Sequence, residues 1–250
     1  RRTELLTQAG IQHVVLPSTC EEHITSSRPE DVVQELAHQK AENVYDTWKS
    51  LHPQEKFLII GSDTVVANNG QILGKPADKE DARNMIQALQ NHTHQVFTGV
   101  SLMLFEAQQK RADFYEKSDV EVYPMSEQEI ETYLSTDEPY DKAGAYGIQG
   151  GFAIYVRSIT GDYNTIVGLP PQESTKNSKS GYNFSNIGDV FRLTGTRPQS
   201  LQTASILAIT RDSPYFVTFS PGTGSFALVH VPNNTKQLSA LQFQGLEVII

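Results

Sequence analysis

The sequence contains little cysteine, tryptophan or methionine and has no long apolar run. Its single cysteine, Cys20, excludes an internal disulfide. The formal net charge of −9 lacks the basic excess that is typical of nucleic-acid binders. No stretch approaches the roughly 18 apolar residues of a membrane span, and no signal-peptide pattern is present. We therefore expect a cytoplasmic protein with no nucleic-acid or membrane partner.

The acidic composition does not exclude a small phosphate ligand. Such a ligand interacts mainly with charges within a Debye length of ~8 Å, so a local group of Lys and Arg side chains is sufficient to bind it. At 250 residues, the chain is long enough for one large domain or two small ones.

Residues 1–170 alternate between helical and strand patterns, which predicts an α/β domain. Two apolar or β-branched segments, Phe57–Ile60 and Thr165–Val167, predict strands. Asn68-Asn69-Gly70 predicts a hairpin turn. Two capping boxes, Ser27 with Glu30 and Ser126 with Glu129, predict the starts of helices.

The composition changes near residue 170, where a segment rich in Pro, Ser, Asn and Lys begins. Beyond it, short apolar runs separated by turn residues predict strands with few helices. We therefore divide the chain into an α/β domain over 1–171, a linker over 172–184 and a β-rich region of open role over 185–250.

Lys40 is anomalous because it lies on the apolar stripe of a predicted helix, three and four residues from Ala37, Leu36 and Val44. A lysine is rarely buried without a partner. Its ammonium either reaches past the stripe into water or faces an anion at the wall of a cleft.

Asp63 follows the buried strand Phe57–Ile60 and precedes Thr64. Ligands commonly bind at the carboxyl ends of strands in α/β sheets. Apolar neighbours raise a carboxyl pKa and nearby cations lower it, so Asp63 is a candidate general base or metal ligand. A turn-capping aspartate is the alternative interpretation.

Three further cations are candidates for phosphate binding. Arg1 and Arg2 lie at a helix N-terminus, where positive charge is unfavourable unless an anion binds there. Lys75 lies on the rigid turn Gly74-Lys75-Pro76. The alternative is that all three are simply solvated.

The segment from Asp141 to Gly151 is rich in glycine, which permits close backbone approach to a ligand or positive φ. Gln149 offers both a donor and an acceptor, which suits recognition of a base edge. Asp141 and Lys142 add charge beside it.

Taken together, these segments resemble the Maf family of nucleotide pyrophosphatases, also called septum-formation-inhibitor homologues. The resemblance runs from Arg1 to about Pro170. It rests on Arg1-Arg2-x-Glu4-Leu5-Leu6, Glu21-Glu22, Lys40-Ala41, Gly61-Ser62-Asp63-Thr64, Gly74-Lys75-Pro76, His94-Gln95-Val96-Phe97-Thr98-Gly99-Val100, the segment from Asp141 to Gly150, and Val167-Gly168-Leu169-Pro170.

The resemblance implies a two-lobed Maf- or ITPase-like domain in which a cleft lies beside a long mixed sheet. It also implies hydrolysis of a nucleoside triphosphate to the monophosphate and pyrophosphate, assisted by Mg²⁺ or Mn²⁺. In the dTTP/UTP-preferring branch, our first choice over the branch acting on 7-methyl-GTP, the implied catalytic residues are Asp63 as proton acceptor with Glu22, Lys40 and Lys75. The implied substrate-binding residues are Arg1, Arg2, Thr64, Lys142 and Gln149, and the implied metal ligands are Glu22 and Asp63.

Two features differ from the family pattern. In the family a strand and Ser-x-Ser-Pro precede the arginine pair, whereas this sequence begins at the pair; the apolar run Leu246–Ile250 is one candidate for the strand. A β-rich region also stands where the family has a closing helix. The alternative function is therefore a catalytically impaired nucleotide-binding or protein-interaction module, with a protein partner for the C-terminal region. A homodimer is also open.

Overall fold

The computed structural model describes residues 1–8, 13–105, 109–170, 215–220, 225–230 and 247–249. The helices are α1 (Arg2–Gln8), α2 (Pro29–Leu51), α3 (Lys79–Leu89), α4 (Glu127–Leu134) and α5 (Tyr163–Val167). The strands are β1 (Phe57–Asn68), β2 (Gln71–Leu73), β3 (Thr93–Phe105), β4 (Gln109–Val122), β5 (Val156–Thr160), β6 (Tyr215–Ser220), β7 (Ser225–His230) and β8 (Glu247–Ile249). Short 3-10 helices cover Glu138–Asp141, Ala143–Ala145 and Gly151–Tyr155.

The main sheet has the order β2-β1-β3-β4-β5, with every neighbouring pair antiparallel. β8 pairs in parallel with the start of β1, so the sheet is mixed, and the α/β fold expected from the sequence is confirmed. β6 and β7 form a separate hairpin. The proposed linker over 172–184 lies outside the described residues.

The outer edge of β1 is the structural feature that matters most for function. β8 pairs with Phe57–Ile59 and β2 pairs with Val66–Asn68, whereas β3 pairs along the whole opposite edge. Within the described ranges, residues 60–65 therefore have no strand on their outer side. Asp63 and Thr64 lie in this gap.

The core divides between the two ends of the long strands. At one end, α2 covers one face of the sheet with Ala41, Val44, Tyr45, Phe57, Ile59 and Met103, while α1 covers the other face with Leu6, Leu58, Ile60, Val100 and Leu102. At the other end, α3, α4 and the glycine-rich loop bury Ile86, Leu89, Ile130, Tyr146 and Phe152. The gap in β1 lies between these two packed regions.

The local predictions had mixed outcomes. The Asn69-Gly70 turn is confirmed, with φ of 51° and 79°, and Ser126 and Glu129 form the expected capping box. The box at Ser27 is wrong: α2 begins at Pro29 with Arg28 as N-cap, so Ser27 lies one position too early to cap it. No helix in the described part of the chain is long and apolar enough to cross a membrane.

The predicted strand over Thr165–Val167 is also wrong, because these residues belong to helix α5. The Asp162 side chain accepts a hydrogen bond from Asn164 N, and Gly168 ends the helix with φ 115°. Tertiary contacts of Thr165, Ile166 and Val167, all buried, override the preference of β-branched residues for strands.

Candidate active site

Two glycines allow α2 to pack closely against the sheet. A Cβ atom added to Gly61 would lie 2.3 Å from the Ala37 carbonyl oxygen, and one added to Gly99 would lie 2.2 Å from the Val33 carbonyl oxygen. Only glycine fits at these positions, because the clashing atoms belong to the helix backbone. The close packing brings the middle of α2, including Lys40, next to the gap in β1.

Lys40 joins two of the predicted site carboxylates. Its Nζ lies 2.5 Å from Asp63 Oδ1 and 2.9 Å from Glu22 Oε1. Burial alone would lower the Lys40 pKa, but the charges of Asp63 and Glu22 and the hydrogen bonds to them outweigh burial and raise the pKa above its ordinary value. Lys40 is therefore charged at neutral pH, and its ammonium forms ion pairs with these two carboxylates instead of extending into bulk water.

A hydrogen-bonded chain of side chains lies around Thr64. Arg2 Nη2 donates to Thr64 Oγ1 at 3.4 Å, and the two threonine hydroxyls of Thr64 and Thr98 lie 2.8 Å apart. Thr98 donates its proton to the Thr165 carbonyl at 2.6 Å, so Thr64 is the donor to Thr98. The Thr64 oxygen is thereby oriented toward the arginine.

The turn at Gly168, which ends helix α5, is held next to Arg2 and Thr64. Arg2 Nε donates to the Gly168 carbonyl at 2.9 Å, and the Ser62 hydroxyl lies 2.9 Å from the same oxygen. A Cβ atom at Gly168 would lie 3.1 Å from Thr64 Oγ1. Sequence reasoning assigned no role to Ser62 or Thr98; their only signal was a place inside the quoted motifs.

The second side of the gap is formed by the Gly74 turn and the glycine-rich loop. Gly144 N donates to the Gly74 carbonyl at 3.0 Å, and Gly144, with φ 68°, packs against the Val66 side chain. This contact places the Lys75 turn beside the loop. Lys75 is exposed and makes no ion pair within the described residues.

Within the loop, Lys142 and Gln149 have different environments. Lys142 Nζ donates to Asp141 Oδ1 at 2.5 Å and to the Glu138 carbonyl at 3.0 Å. The Lys142 hydrogen bond chiefly lowers the Asp141 pKa, and the charge of Arg1 adds to this effect. Gln149 is exposed in the turn from Gly147 to Gly150, which a 3.2 Å backbone hydrogen bond closes.

The structure thus brings some predicted residues into direct contact and others only to the same region. Glu22, Lys40 and Asp63 contact one another through the ammonium, and Arg2 contacts Thr64. Over the described ranges, Lys75, Lys142 and Gln149 make no direct contact with Asp63; they belong to segments joined to β1 through Gly74, Gly144 and Val66.

The carboxylates also bear on the predicted divalent cation. No group of three or more His, Cys, Asp or Glu side chains converges within the part of the chain that the structure describes. However, Glu22 and Asp63 both approach one cationic nitrogen, so a positive centre can sit between them. One or two carboxylates completed by substrate phosphates is the usual Mg²⁺ arrangement, and this pair fits it.

The fold and this arrangement define a class: α/β proteins that group charged side chains beside a central strand, which over the described residues has no outer neighbour at this point. The sequence model of the family described as Maf-like protein matches residues 1–179, and the chain belongs to that family.

Curated relatives support this assignment. The chain is 49% identical over 179 residues to a dTTP/UTP pyrophosphatase of Agathobacter rectalis, covering 68% of this chain and 87% of the relative. It is 45% identical over 171 residues to the protein of that name from Bacillus cytotoxicus, and 43% identical over 172 residues to that from Lachnoclostridium phytofermentans. Both alignments cover 68% of this chain and 85% of the relative.

Proposed function

We propose that this protein hydrolyses dTTP and UTP to the nucleoside monophosphate and pyrophosphate. The observation that carries the proposal is the Lys40 ammonium held between Glu22 and Asp63, beside the part of β1 that has no outer neighbour strand among the described residues. The names of the relatives support the choice of substrates. Nothing in the comparisons favours the alternative of an impaired binding module.

In the proposed reaction, water attacks the α-phosphorus and its proton passes to Asp63. The bond from the α-phosphorus to the bridging oxygen breaks, and pyrophosphate leaves with the bonding electrons. A positioned general base contributes ~10²–10⁴ in rate. Lys40, Lys75, Arg1 and Arg2 supply fixed positive charge where negative charge develops on the phosphate oxygens.

We assign base recognition to Gln149. Uracil and thymine present a carbonyl acceptor next to an N–H donor, and a glutamine amide offers the complementary pair. Its exposed position in the loop turn is consistent with contact to a ligand. The remaining proposed substrate-binding residues are Thr64 and Lys142. The oxygen of Thr64 is oriented by Arg2 and Thr98.

We also propose that Glu22 and Asp63 hold Mg²⁺ or Mn²⁺. When bound, such an ion neutralises phosphate charge and stabilises the leaving pyrophosphate. If Asp63 is the base, Glu22 is the principal ligand. Chelation with EDTA should then abolish pyrophosphate release, and added Mg²⁺ or Mn²⁺ should restore it.

The decisive experiment is a panel of nucleoside triphosphates assayed for pyrophosphate release. We expect dTTP and UTP to be the preferred substrates, and Asp63→Asn to lower kcat at least ~100-fold. Asp46→Asn, at an exposed position on the same helix as Lys40, is the matched control and should retain full activity. Absence of pyrophosphate from every triphosphate would reject the function; near-normal turnover by Asp63→Asn would remove Asp63 as the base.

The homodimer, the protein partner for the C-terminal region and the cytoplasmic location stay predictions.

A further inference from the structure

The Glu138 carboxylate lies inside the glycine-rich loop and accepts hydrogen bonds from its backbone. Gly151 N donates to Glu138 Oε2 at 2.6 Å, and Phe152 N lies 3.5 Å from Oε1. The Tyr133 hydroxyl lies 3.2 Å from the same Oε1. Three donors from two different segments thus converge on one half-buried side chain.

The spacing of the loop glycines matches the position of this carboxylate. A Cβ atom added to Gly150 would lie 2.2 Å from Glu138 Cδ and 2.3 Å from both carboxylate oxygens. One added to Gly147 would lie 3.4 Å from Oε1, and one added to Gly151 would lie 3.4 Å from Oε2. Of these three, Gly150 is the glycine that makes room for the Glu138 carboxylate, because 3.4 Å at Gly147 and Gly151 is ordinary contact.

Glu138 is linked to both ends of the turn that carries Gln149. At the near end, the Tyr133 hydroxyl lies 3.3 Å from the Ala145 carbonyl as well as 3.2 Å from the carboxylate. Lys142 Nζ donates to the Glu138 carbonyl at the same end. At the far end, the carboxylate holds Gly151 and Phe152.

Tyr133 is well suited to this link because it is buried. Burial chiefly raises its pKa far above the ordinary value, and the nearby Glu138 charge adds to that effect. Its hydroxyl therefore keeps its proton and acts as a donor throughout the working pH range. Packing of the Tyr133 ring against Phe152, with centroids 5.2 Å apart, fixes its position.

We propose that Glu138 is a positioning residue that holds the Gly147–Gly150 turn so that Gln149 meets the pyrimidine base. The proposal rests on the function proposed above, because Gln149 contacts a base only if the protein binds a nucleotide. Glu138 itself contacts no substrate; it acts through the backbone of the loop.

The test is a double-mutant cycle between Glu138→Gln and Gln149→Ala, measured with dTTP. The glutamine keeps the size of the side chain, but its amide places an N–H donor where the carboxylate accepts from the backbone. We expect KM to rise about 10-fold with kcat within about 2-fold, the cost of losing hydrogen bonds to a charged group. In the Gln149→Ala background, Glu138→Gln should change KM no further.

The second variant, Tyr133→Phe, removes one donor and keeps the ring. It should raise KM by about 2- to 5-fold, and this increase should also disappear in the Gln149→Ala background. Glu127→Gln, at an exposed position on α4, is the control and should leave KM unchanged. Additive effects in both cycles, or an unchanged KM in both variants, would overturn the proposal.

Amide hydrogen exchange separates this proposal from the proposed function. Exchange at Gly151 and Phe152 should accelerate about 10-fold or more in Glu138→Gln, whether or not the protein turns over dTTP. An inactive wild-type protein with accelerated exchange in the variant rejects the function but supports the anchoring of the loop. An active wild-type protein whose Glu138→Gln variant shows unchanged exchange rejects the anchoring and leaves the function standing.

Discussion

Substituting Gly61 by alanine tests whether close packing of α2 creates the active site. The added Cβ would lie 2.3 Å from the Ala37 carbonyl oxygen and 2.7 Å from Ala41 Cβ, whereas ordinary contacts begin at 3.4 Å. The Ala37 oxygen belongs to the backbone, so no side-chain rotation relieves this contact. Either α2 or β1 must therefore retreat by about 1 Å.

This displacement has two measurable consequences. Overpacking of this kind costs ~1–3 kcal/mol in the free energy of unfolding, which urea denaturation measures. Lys40 lies in α2 between the two clashing residues, so its 2.5 Å contact with Asp63 lengthens as the helix moves. A shift of 1 Å in a catalytic group can cost ~100-fold in rate, so we expect pyrophosphate release from dTTP to fall ~10- to 100-fold.

Gly74→Ala is the matched control, because a Cβ atom added there meets no heavy atom within 4 Å. Its free energy of unfolding should stay within ~0.5 kcal/mol of the wild-type value. A Gly61→Ala protein as stable and as active as the wild type would refute the reasoning, because α2 would then not press against β1 at this point.

Three further predictions follow from single contacts. Burial lowers the His94 pKa from 6.5 to about 4, so between these pH values the unfolded chain gains a proton that the folded protein does not. As the pH falls through this window, the free energy of unfolding should decrease by about 3 kcal/mol. His94→Gln should remove this pH dependence. Arg2→Lys replaces the planar guanidinium, which donates to both Gly168 and Thr64, by a single ammonium, so KM for dTTP should rise ~10-fold. An unchanged KM would exclude Arg2 from substrate binding. Thr98→Val leaves the buried Thr165 carbonyl without its hydrogen-bond donor, so the free energy of unfolding measured in urea should fall by ~1–3 kcal/mol. Thr98→Ser keeps the hydroxyl and should lower it less.

Local sequence signals predicted elements whose determinants lie within a few residues. The Asn69-Gly70 turn and the Ser126–Glu129 capping box depend only on adjacent backbone, and both are present. Where a distant contact competes with the local preference, as in Thr165–Val167, the prediction was wrong.

The glycine-rich loop shows how a local observation can leave its tertiary cause open. The sequence indicated that its glycines allow either close approach of the backbone to a ligand or positive φ. In the structure, Gly150 makes room for Glu138, and Gly144 has positive φ and packs against Val66. No spacing rule connects Glu138 to Gly150, Gly151 and Phe152, which lie 12 to 14 positions later, so this anchor was not foreseen.

The sequence by itself determined the α/β class, the helix and turn positions set by neighbouring residues, and the set of charged side chains available for a phosphate. Only the tertiary structure decided that Lys40 joins Glu22 to Asp63, and that Arg2 lies against Thr64 and Gly168. The physical reason is range: turn and capping preferences act over three or four residues. These contacts instead depend on strand register and on how closely two glycines let a helix approach a sheet.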